Sequence, residues 1–311
     1  MERRGRVGLV LGGGGVRGAS WLMGALHGLI AETGWDPAGA ELLIGTSAGA
    51  TVAALTAAGA RPWHALAPER HDFLRALMEA AAFRPELTLR SLAPGSPALA
   101  RTAWRSGPSA AVRFVAGILP EGFVSTRPIA RLVQEHAPGG WPAHPGLWIV
   151  ATDYLTGDRV AFGRDGAPAA ELADAVAASC AIPGFYRPVP IGGRRYVDGA
   201  LHSGANLDLA AAAGLDLVVC LNPLSSPVGA ATGPAAHLRE LLHRQLAAQV
   251  RAVEEAGCRV LVIEPVGRSI DLIGLNPMSR GRVAEIGRAA AEEVAQALRE
   301  RTRPPLDQLF V

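Results

Sequence analysis

Two similar stretches decide the fold: VGLVLGGGGVRGAS at residues 7–20 and ELLIGTSAGATVAAL at residues 41–55. Each begins with a short apolar run, passes through a glycine-containing turn and continues in small or apolar residues that favour a helix. A strand, a glycine turn and a helix, repeated along the chain, are typical of a parallel sheet with crossover helices. The sequence therefore predicts an α/β fold with a mostly parallel central sheet and helices on both faces.

The rest of the chain continues this pattern with one weaker region. Residues 61–121 alternate helical stretches with loops rich in Pro and Gly, and they predict an irregular helical cap or insertion. The length of 311 residues leaves open one large domain or two closely associated ones. Further strands are predicted at 147–152, at a hairpin partner within 156–162, at 196–197, at 217–221 and at 260–263, and helices at 17–31, 48–60, 63–81, 237–257 and 279–301.

Composition excludes several classes of protein. Thirty basic residues against 28 acidic ones give a net charge of +2, which is too balanced for a typical nucleic-acid binder. All of the basic residues are Arg, so chemistry that needs a Lys, such as a P-loop, a Schiff base or a Ser-Lys pair, is excluded. The three cysteines are too widely spaced to suggest a zinc knuckle or a disulfide framework, and we expect neither a metal nor a cofactor.

The apolar run at residues 7–11 is too short for the core of a signal peptide, and no stretch approaches the length of a membrane-spanning helix. We therefore expect a cytoplasmic protein. Its oligomeric state does not follow from the sequence.

The first chemical motif is the glycine loop at residues 13–18, GGGVRG, which ends a strand and opens a helix. Backbone N–H groups in such a turn converge on an anion, and the positive end of the helix dipole assists them. Two anions fit this geometry: the pyrophosphate of a dinucleotide, or the oxyanion of a tetrahedral acyl intermediate. A turn that serves only close packing of the strand and helix is the third interpretation.

The second motif is GTSAG at residues 45–49, a GxSxG sequence at a predicted turn from strand to helix. This is the arrangement of a nucleophile elbow, in which Ser47 projects from a strained turn between small residues. The usual base for such a serine is a histidine, and the chain has eight. None of them follows the last predicted strand, however, as the chain order of an α/β-hydrolase requires, so a Ser-His-Asp triad is disfavoured.

The third motif is Asp198-Gly199-Ala200, which follows the strand-like residues Tyr196 and Val197. An aspartate at the carboxyl end of a strand in an open parallel sheet points into the crevice where ligands bind. Taken alone, Asp-Gly is also a common hairpin turn. We expect it to share one sheet edge with Ser47 and the glycine loop.

These three motifs, in this order, resemble the oxyanion loop, nucleophile elbow and catalytic Asp-Gly box of the patatin-like phospholipase family. The segment ASCAIPGFYRPVPIGGRRYVDGAL at residues 178–201 also resembles the stretch that precedes the aspartate in that family. The similarity extends over roughly residues 5–210, and residues 61–121 match nothing in it. It implies a single domain over residues 1–311, with a family-matching core at 5–210, a helical insertion at 61–121, and C-terminal strands and helices at 211–311. Separately the motifs are weak, but together they are specific.

The resemblance implies a serine acyl hydrolase, a phospholipase or carboxylesterase, that uses a Ser-Asp dyad and an acyl-enzyme intermediate. Ser47 is then the nucleophile and Asp198 the base. The oxyanion hole comes from backbone amides at Gly13, Gly14 and Gly15. The motif positions that accompany the dyad are Gly45, Gly49, Gly199 and Ala200, and Arg17 and Gly18 support the oxyanion loop.

The implied partner is a lipid or another acyl ester, and peripheral contact with a membrane is a further expectation. One candidate for a lipid-facing cap is the apolar set Trp63, Phe73, Leu74, Leu77, Met78 and Phe83, although apolar stripes more often pack on a core. Two alternatives remain: a Rossmann-type dinucleotide binder, and a non-catalytic scaffold with the same fold. The first lacks the acidic residue expected after the second strand, where GTSAG stands instead.

Overall fold

The computed structural model describes residues 5–66, 95–105 and 110–300, together with Glu79. Within these residues, eight strands form one sheet: β1 Val7–Leu11, β2 Leu42–Thr46, β3 Leu147–Asp153, β4 Arg159–Phe162, β5 Val189–Ile191, β6 Arg194–Asp198, β7 Leu217–Leu221 and β8 Arg259–Ile263. The helices are α1 Gly15–Thr33, α2 Ala48–Ala57, α3 Pro97–Thr102, α4 Ala110–Ile118, α5 Arg127–His136, α6 Leu172–Ser179, α7 Ala236–Glu255, α8 Gly267–Ile273 and α9 Val283–Glu300.

The sheet has the strand order β5-β6-β3-β2-β1-β7-β8, and β4 pairs with β3 outside this path. Strands β3, β2, β1, β7 and β8 run parallel to one another, whereas β4, β5 and β6 pair antiparallel. The predicted α/β fold with a mostly parallel sheet is therefore confirmed. All five parallel strands were expected from their apolar runs, and so was the hairpin of β3 and β4.

The two faces of the sheet bury separate hydrophobic cores. Leu9 and Leu11 of β1 pack into the larger core with α1, α2, α6 and α9, whereas Val10 points to the other face, against Leu246 and Val253 of α7. This alternation follows from the period of two in a strand. Helix α1 lies so close to α9 that a Cβ at Gly24 would stand 2.0 Å from the Gly287 carbonyl oxygen.

Strand β6 corrects one expectation. Asp198 was expected to lie at the carboxyl end of a parallel strand, but β6 runs antiparallel to β3 and pairs Asp198 with Ala151. The cause is a tight hairpin, in which Gly192 and Gly193 have φ values of 56° and 76° and turn β5 back into β6. Asp198 still arrives beside Ser47, because its partner Ala151 follows Val150, which pairs with Thr46.

The predicted cap is only partly described. Helices α3 and α4 lie in the 61–121 region. The helical insertion, its boundaries and the single-domain assignment stay predictions. Of the apolar cap residues, Trp63 is buried in the main core and faces no lipid. The other five cap residues lie outside the described residues.

Candidate active site

Ser47 occupies a strained turn between β2 and α2. Its backbone has φ 54° and ψ −121°, a conformation that an L-residue adopts only when its surroundings impose it. A Cβ at Gly45 would lie 2.6 Å from the Ala50 Cα, and one at Gly49 would lie 2.0 Å from the Leu11 carbonyl oxygen. Glycine is thus required on both sides of Ser47 because the turn is packed against β1 and the first turn of α2.

Asp198 stands at the end of β6 and is 3% exposed. Its Oδ1 accepts a hydrogen bond of 2.8 Å from the Ala200 amide. Asp198 thereby caps the single 3-10 turn at Gly199–Leu201. The Ser47 hydroxyl also acts on this carboxylate and lowers its pKa, as a hydrogen-bonding neighbour does. Gly199 permits this close arrangement, since a Cβ there would lie 2.4 Å from the Val150 carbonyl oxygen.

Burial raises the pKa of Asp198 to about 7, while the hydrogen bonds from the Ala200 amide and the Ser47 hydroxyl act in the opposite direction. An ordinary aspartate, with a pKa near about 4, is a poor base toward a hydroxyl. A buried carboxylate with a pKa near neutrality is better matched to proton transfer at neutral pH. The position of Asp198 in the fold therefore gives it the basicity that its side chain alone lacks.

The glycine loop lies directly against Ser47, because a Cβ at Gly13 would stand 3.3 Å from the Ser47 Cβ. The Gly13 amide, however, donates a hydrogen bond of 2.8 Å to the Gly204 carbonyl, so the expectation that it belongs to the oxyanion hole is not met in this conformation. Within the described residues, the amides of Gly14 and Gly15 have no backbone acceptor. These two amides begin α1, where the helix dipole favours negative charge.

Arg17 points away from Ser47 and fastens α1 to the C-terminal part of the chain. Its Nη1 donates to the carbonyls of Leu272 (3.1 Å) and Ile273 (2.7 Å), and its Nη2 donates to the Ser279 Oγ at 2.9 Å. A guanidinium on the last carbonyls of α8 also complements the negative end of that helix. These contacts fasten the start of α1, and with it the glycine loop, to the end of α8 and the segment that follows it. Gly18 packs beside it, and a Cβ there would lie 3.2 Å from the Pro223 Cγ.

Two residues that the motifs did not reveal hold the backbone of Ser47. The Ser179 Oγ accepts a hydrogen bond of 2.8 Å from the Ser47 amide and donates one of 2.6 Å to the Val150 carbonyl. The Cys180 Sγ donates to the Ser47 carbonyl at 3.2 Å. Burial raises the pKa of Cys180 to about 12, so the thiol remains protonated and acts as a donor.

Asn206 is fully buried and links the nucleophile elbow to the loop after Asp198. Its Nδ2 donates to the Thr46 Oγ1 at 3.1 Å and to the Ser203 carbonyl at 2.8 Å, and it lies 3.4 Å from the Gly199 carbonyl oxygen. No motif drew attention to Asn206. Its positive φ of 55°, which asparagine tolerates better than most residues, depends on tertiary contacts that a sequence pattern does not contain.

A cavity opens beside Ser47 and is almost wholly apolar. Its walls come from α1, α2, α5, the loop after α6 and the segment between α8 and α9. The residues that line it are Gly15, Val16, Ala19, Ser47, Ala48, Thr51, Ile129, Cys180, Ile182, Tyr186 and Met278. The shape and polarity suit an apolar chain attached to a group that reacts at Ser47.

Among the described residues that line the cavity there is no histidine. His202 lies nearest in sequence to Asp198, but its Nδ1 is 2.5 Å from the Arg113 Nη2. Burial lowers the pKa of His202 to about 4, with Arg159 and Arg113 adding to the effect. In the described parts of the chain, no group of three or more His, Cys, Asp or Glu side chains could hold a metal ion.

Two comparisons relate the chain to known proteins. The family model for patatin-like phospholipase matches residues 9–211, from β1 to the turn before β7. Among solved structures, the chain is similar to the crystal structure of VipD from Legionella pneumophila, with a TM-score of 0.43 and 14% sequence identity over 95% of this chain and 68% of that chain. No described helix is both long and apolar enough to cross a bilayer.

Proposed function

The chain belongs to the patatin-like phospholipase family, a family of lipid acyl hydrolases, and from this premise we propose that it cleaves carboxylic esters of lipids with Ser47 as nucleophile and Asp198 as base. One observation carries the proposal: the sheet register brings the buried Asp198 beside Ser47, which stands in a strained turn at the wall of an apolar cavity. The dinucleotide alternative has less support, because β2 ends in Thr46 and not in an acidic residue.

In the proposed acylation step, the Ser47 Oγ attacks the ester carbonyl carbon while its proton passes to Asp198. The carbonyl oxygen becomes an oxyanion near the amides of Gly14, Gly15 and Ala48, which stand at the N-termini of α1 and α2. Collapse of the intermediate breaks the ester C–O bond. The departing alkoxide takes the proton from Asp198, and the acyl group remains on Ser47.

In the proposed deacylation step, a water molecule gives its proton to Asp198 and attacks the acyl carbonyl. The second tetrahedral intermediate breaks the bond to Ser47, whose oxygen recovers the proton from Asp198. A carboxylic acid leaves, and the dyad returns to its starting state. The apolar cavity provides room for the acyl chain during both steps, since its lining offers little to a polar head group.

The test is labelling with a fluorophosphonate probe followed by hydrolysis of chromogenic esters of increasing chain length. We expect wild type and Ser125→Ala, a control serine outside the site, to be labelled and Ser47→Ala to remain unlabelled. Asp198→Asn should lose ester turnover by several orders of magnitude, because the proton acceptor is removed. Labelling of Ser47→Ala at the wild-type rate would refute the assignment, and a folded wild type that neither reacts nor hydrolyses would favour the non-catalytic scaffold.

A further inference from the structure

Helix α4 has an inverted polarity. In the nine residues Ala110–Ile118, the only charged side chain is Arg113, and it is buried at 8% exposure. A surface helix of a soluble protein normally turns its apolar stripe to the core and its charges to water. Here the large side chains that face solvent are all apolar. This outward face, called the α4 face below, consists of Val112 (51% exposed), Phe114 (52%), Val115 (49%), Ile118 (58%) and the following Leu119 (38%).

The orientation of α4 is fixed by its inner side. The Arg113 Nη2 lies 2.5 Å from the His202 Nδ1, and its Nε lies 3.4 Å from the Leu201 carbonyl oxygen. Gly117 packs against α3 so closely that a Cβ there would stand 2.4 Å from the Ala100 nitrogen. If α4 rotated to bury its apolar face, Arg113 would lose its contacts with His202 and Leu201, and the packing of Gly117 on α3 would be lost. The apolar face therefore stays outward.

The α4 face adjoins the active-site cavity. A Cβ at Gly184 would lie 2.8 Å from the Leu119 Cδ1, so this end of the face touches the loop that follows α6. The same loop places Ile182 and Tyr186 in the cavity wall. On the inner side of the same helix, Arg113 contacts the carbonyl of Leu201, which lies three residues after Asp198. The face is therefore attached to both the wall of the cavity and the loop that carries Asp198.

We propose that the α4 face docks the enzyme on the surface of a lipid bilayer, with its apolar side chains inserted among the acyl chains. The proposal rests on the lipid acyl hydrolase function, because an ester held in a bilayer must pass from that surface to Ser47. Shallow insertion of an apolar face into the interface is the usual way in which a short helix binds a membrane reversibly.

The size of the face favours a bilayer over a second copy of the chain. Helix α4 is about 14 Å long at about 1.5 Å per residue, and at a width of about 10 Å it offers about 140 Å². A stable protein interface buries about 800 Å² on each partner, several times more than this face provides. A bilayer has no such requirement, because a few inserted side chains suffice for reversible partitioning.

The experiment measures binding to phosphatidylcholine vesicles by flotation, with and without a phosphatidylglycerol fraction, in a Ser47→Ala background that leaves the lipid intact. The test variant is Phe114→Ser with Ile118→Ser. The matched control is Leu238→Ser with Leu241→Ser, which removes two leucines of similar exposure, 59% and 48%, from α7. We expect vesicle partitioning of the test variant to weaken about tenfold or more, and partitioning of the control to stay within about twofold of its parent.

Two further measurements keep the proposal separate from the catalytic one. Turnover of a soluble short-chain ester is followed in proteins that retain Ser47, and it should stay within about twofold for both double variants. If the protein binds vesicles but wild type does not hydrolyse the ester, the catalytic assignment is refuted and the docking proposal is not. The docking proposal is overturned if the Ser47→Ala parent does not bind vesicles, or if the test variant binds them as strongly as this parent. It is also overturned if sedimentation shows a wild-type dimer that the test variant disrupts.

Discussion

Replacement of Asp198 by asparagine should stabilise the fold while it removes activity. In the unfolded chain the carboxyl has a pKa of 3.8, whereas burial in the folded protein raises its pKa to about 7. Between these values the folded state holds a proton that the unfolded state has released, so stability falls as the pH rises through this window. At about 1.4 kcal/mol for each pH unit, the displacement corresponds to about 4 kcal/mol of lost stability above pH 7.

Asparagine has the same shape and carries no charge, so Asp198→Asn avoids this cost. Its Oδ1 can still accept from the Ala200 amide, and its Nδ2 can donate to the Ser47 Oγ, which keeps both contacts of the native carboxylate. We expect the variant to gain about 4 kcal/mol at pH 8 and only about 2 kcal/mol at pH 5. The gain should vanish only below about pH 3, where the carboxyl of wild type is protonated in both states.

The assay is urea unfolding of wild type and Asp198→Asn at several pH values from 5 to 8.5, read by far-UV circular dichroism. Asp165→Asn, at an exposed position, is the control and should change the free energy of unfolding by less than about 0.5 kcal/mol at every pH. A variant that is less stable than wild type at pH 8, or a gain that does not depend on pH, would refute the reasoning. Either result would mean that the carboxylate is well solvated or paired in the folded state.

Three further outcomes are expected. The kcat/KM for a soluble ester should rise through about pH 7 and fall about tenfold per pH unit below it, because Asp198 acts only when ionised; a flat profile from pH 5 to 8 would contradict this. Ser47→Gly should be about 1 kcal/mol more stable to urea than Ser47→Ala, since glycine relieves the positive φ, and equal stability would remove the argument for strain. Gly49→Ala should lose several kcal/mol or fail to fold, because its Cβ meets the Leu11 carbonyl, whereas Gly139→Ala, with open space around it, should unfold at nearly the wild-type urea concentration.

The parts of the fold that depend on neighbouring residues were predictable from the sequence. Strand β1 and the helix after it, and β2 with its elbow, follow from apolar runs and glycines that lie within about 30 residues of each other along the chain. The predicted direction of β6 was wrong, because the Gly192-Gly193 hairpin turns β5 back and sets β6 antiparallel to it.

The supports of the site could not be predicted in the same way. Ser179 meets the Ser47 amide across 132 residues, and Asn206 meets Thr46 across 160. Such contacts depend on the assembled sheet, and a single buried polar residue has no periodicity that would reveal its partner. The α4 face could not be predicted for a related reason. An apolar helix is expected to pack in the core, and only the burial of Arg113 shows that the apolar side chains of this helix face outward.

The strand order has a consequence for any attempt to use the family-matching part as a transplantable module. The match ends at residue 211, yet β7 lies beyond it and pairs with the full length of β1, the strand that leads into the glycine loop. A fragment that ends there would turn β1 from a central strand into an exposed edge strand, which can pair with other chains. The Arg17 side chain would also lose both of its carbonyl acceptors. A chimaera made at that boundary should aggregate. A functional one must include the last hundred residues together with the part that holds the candidate active site.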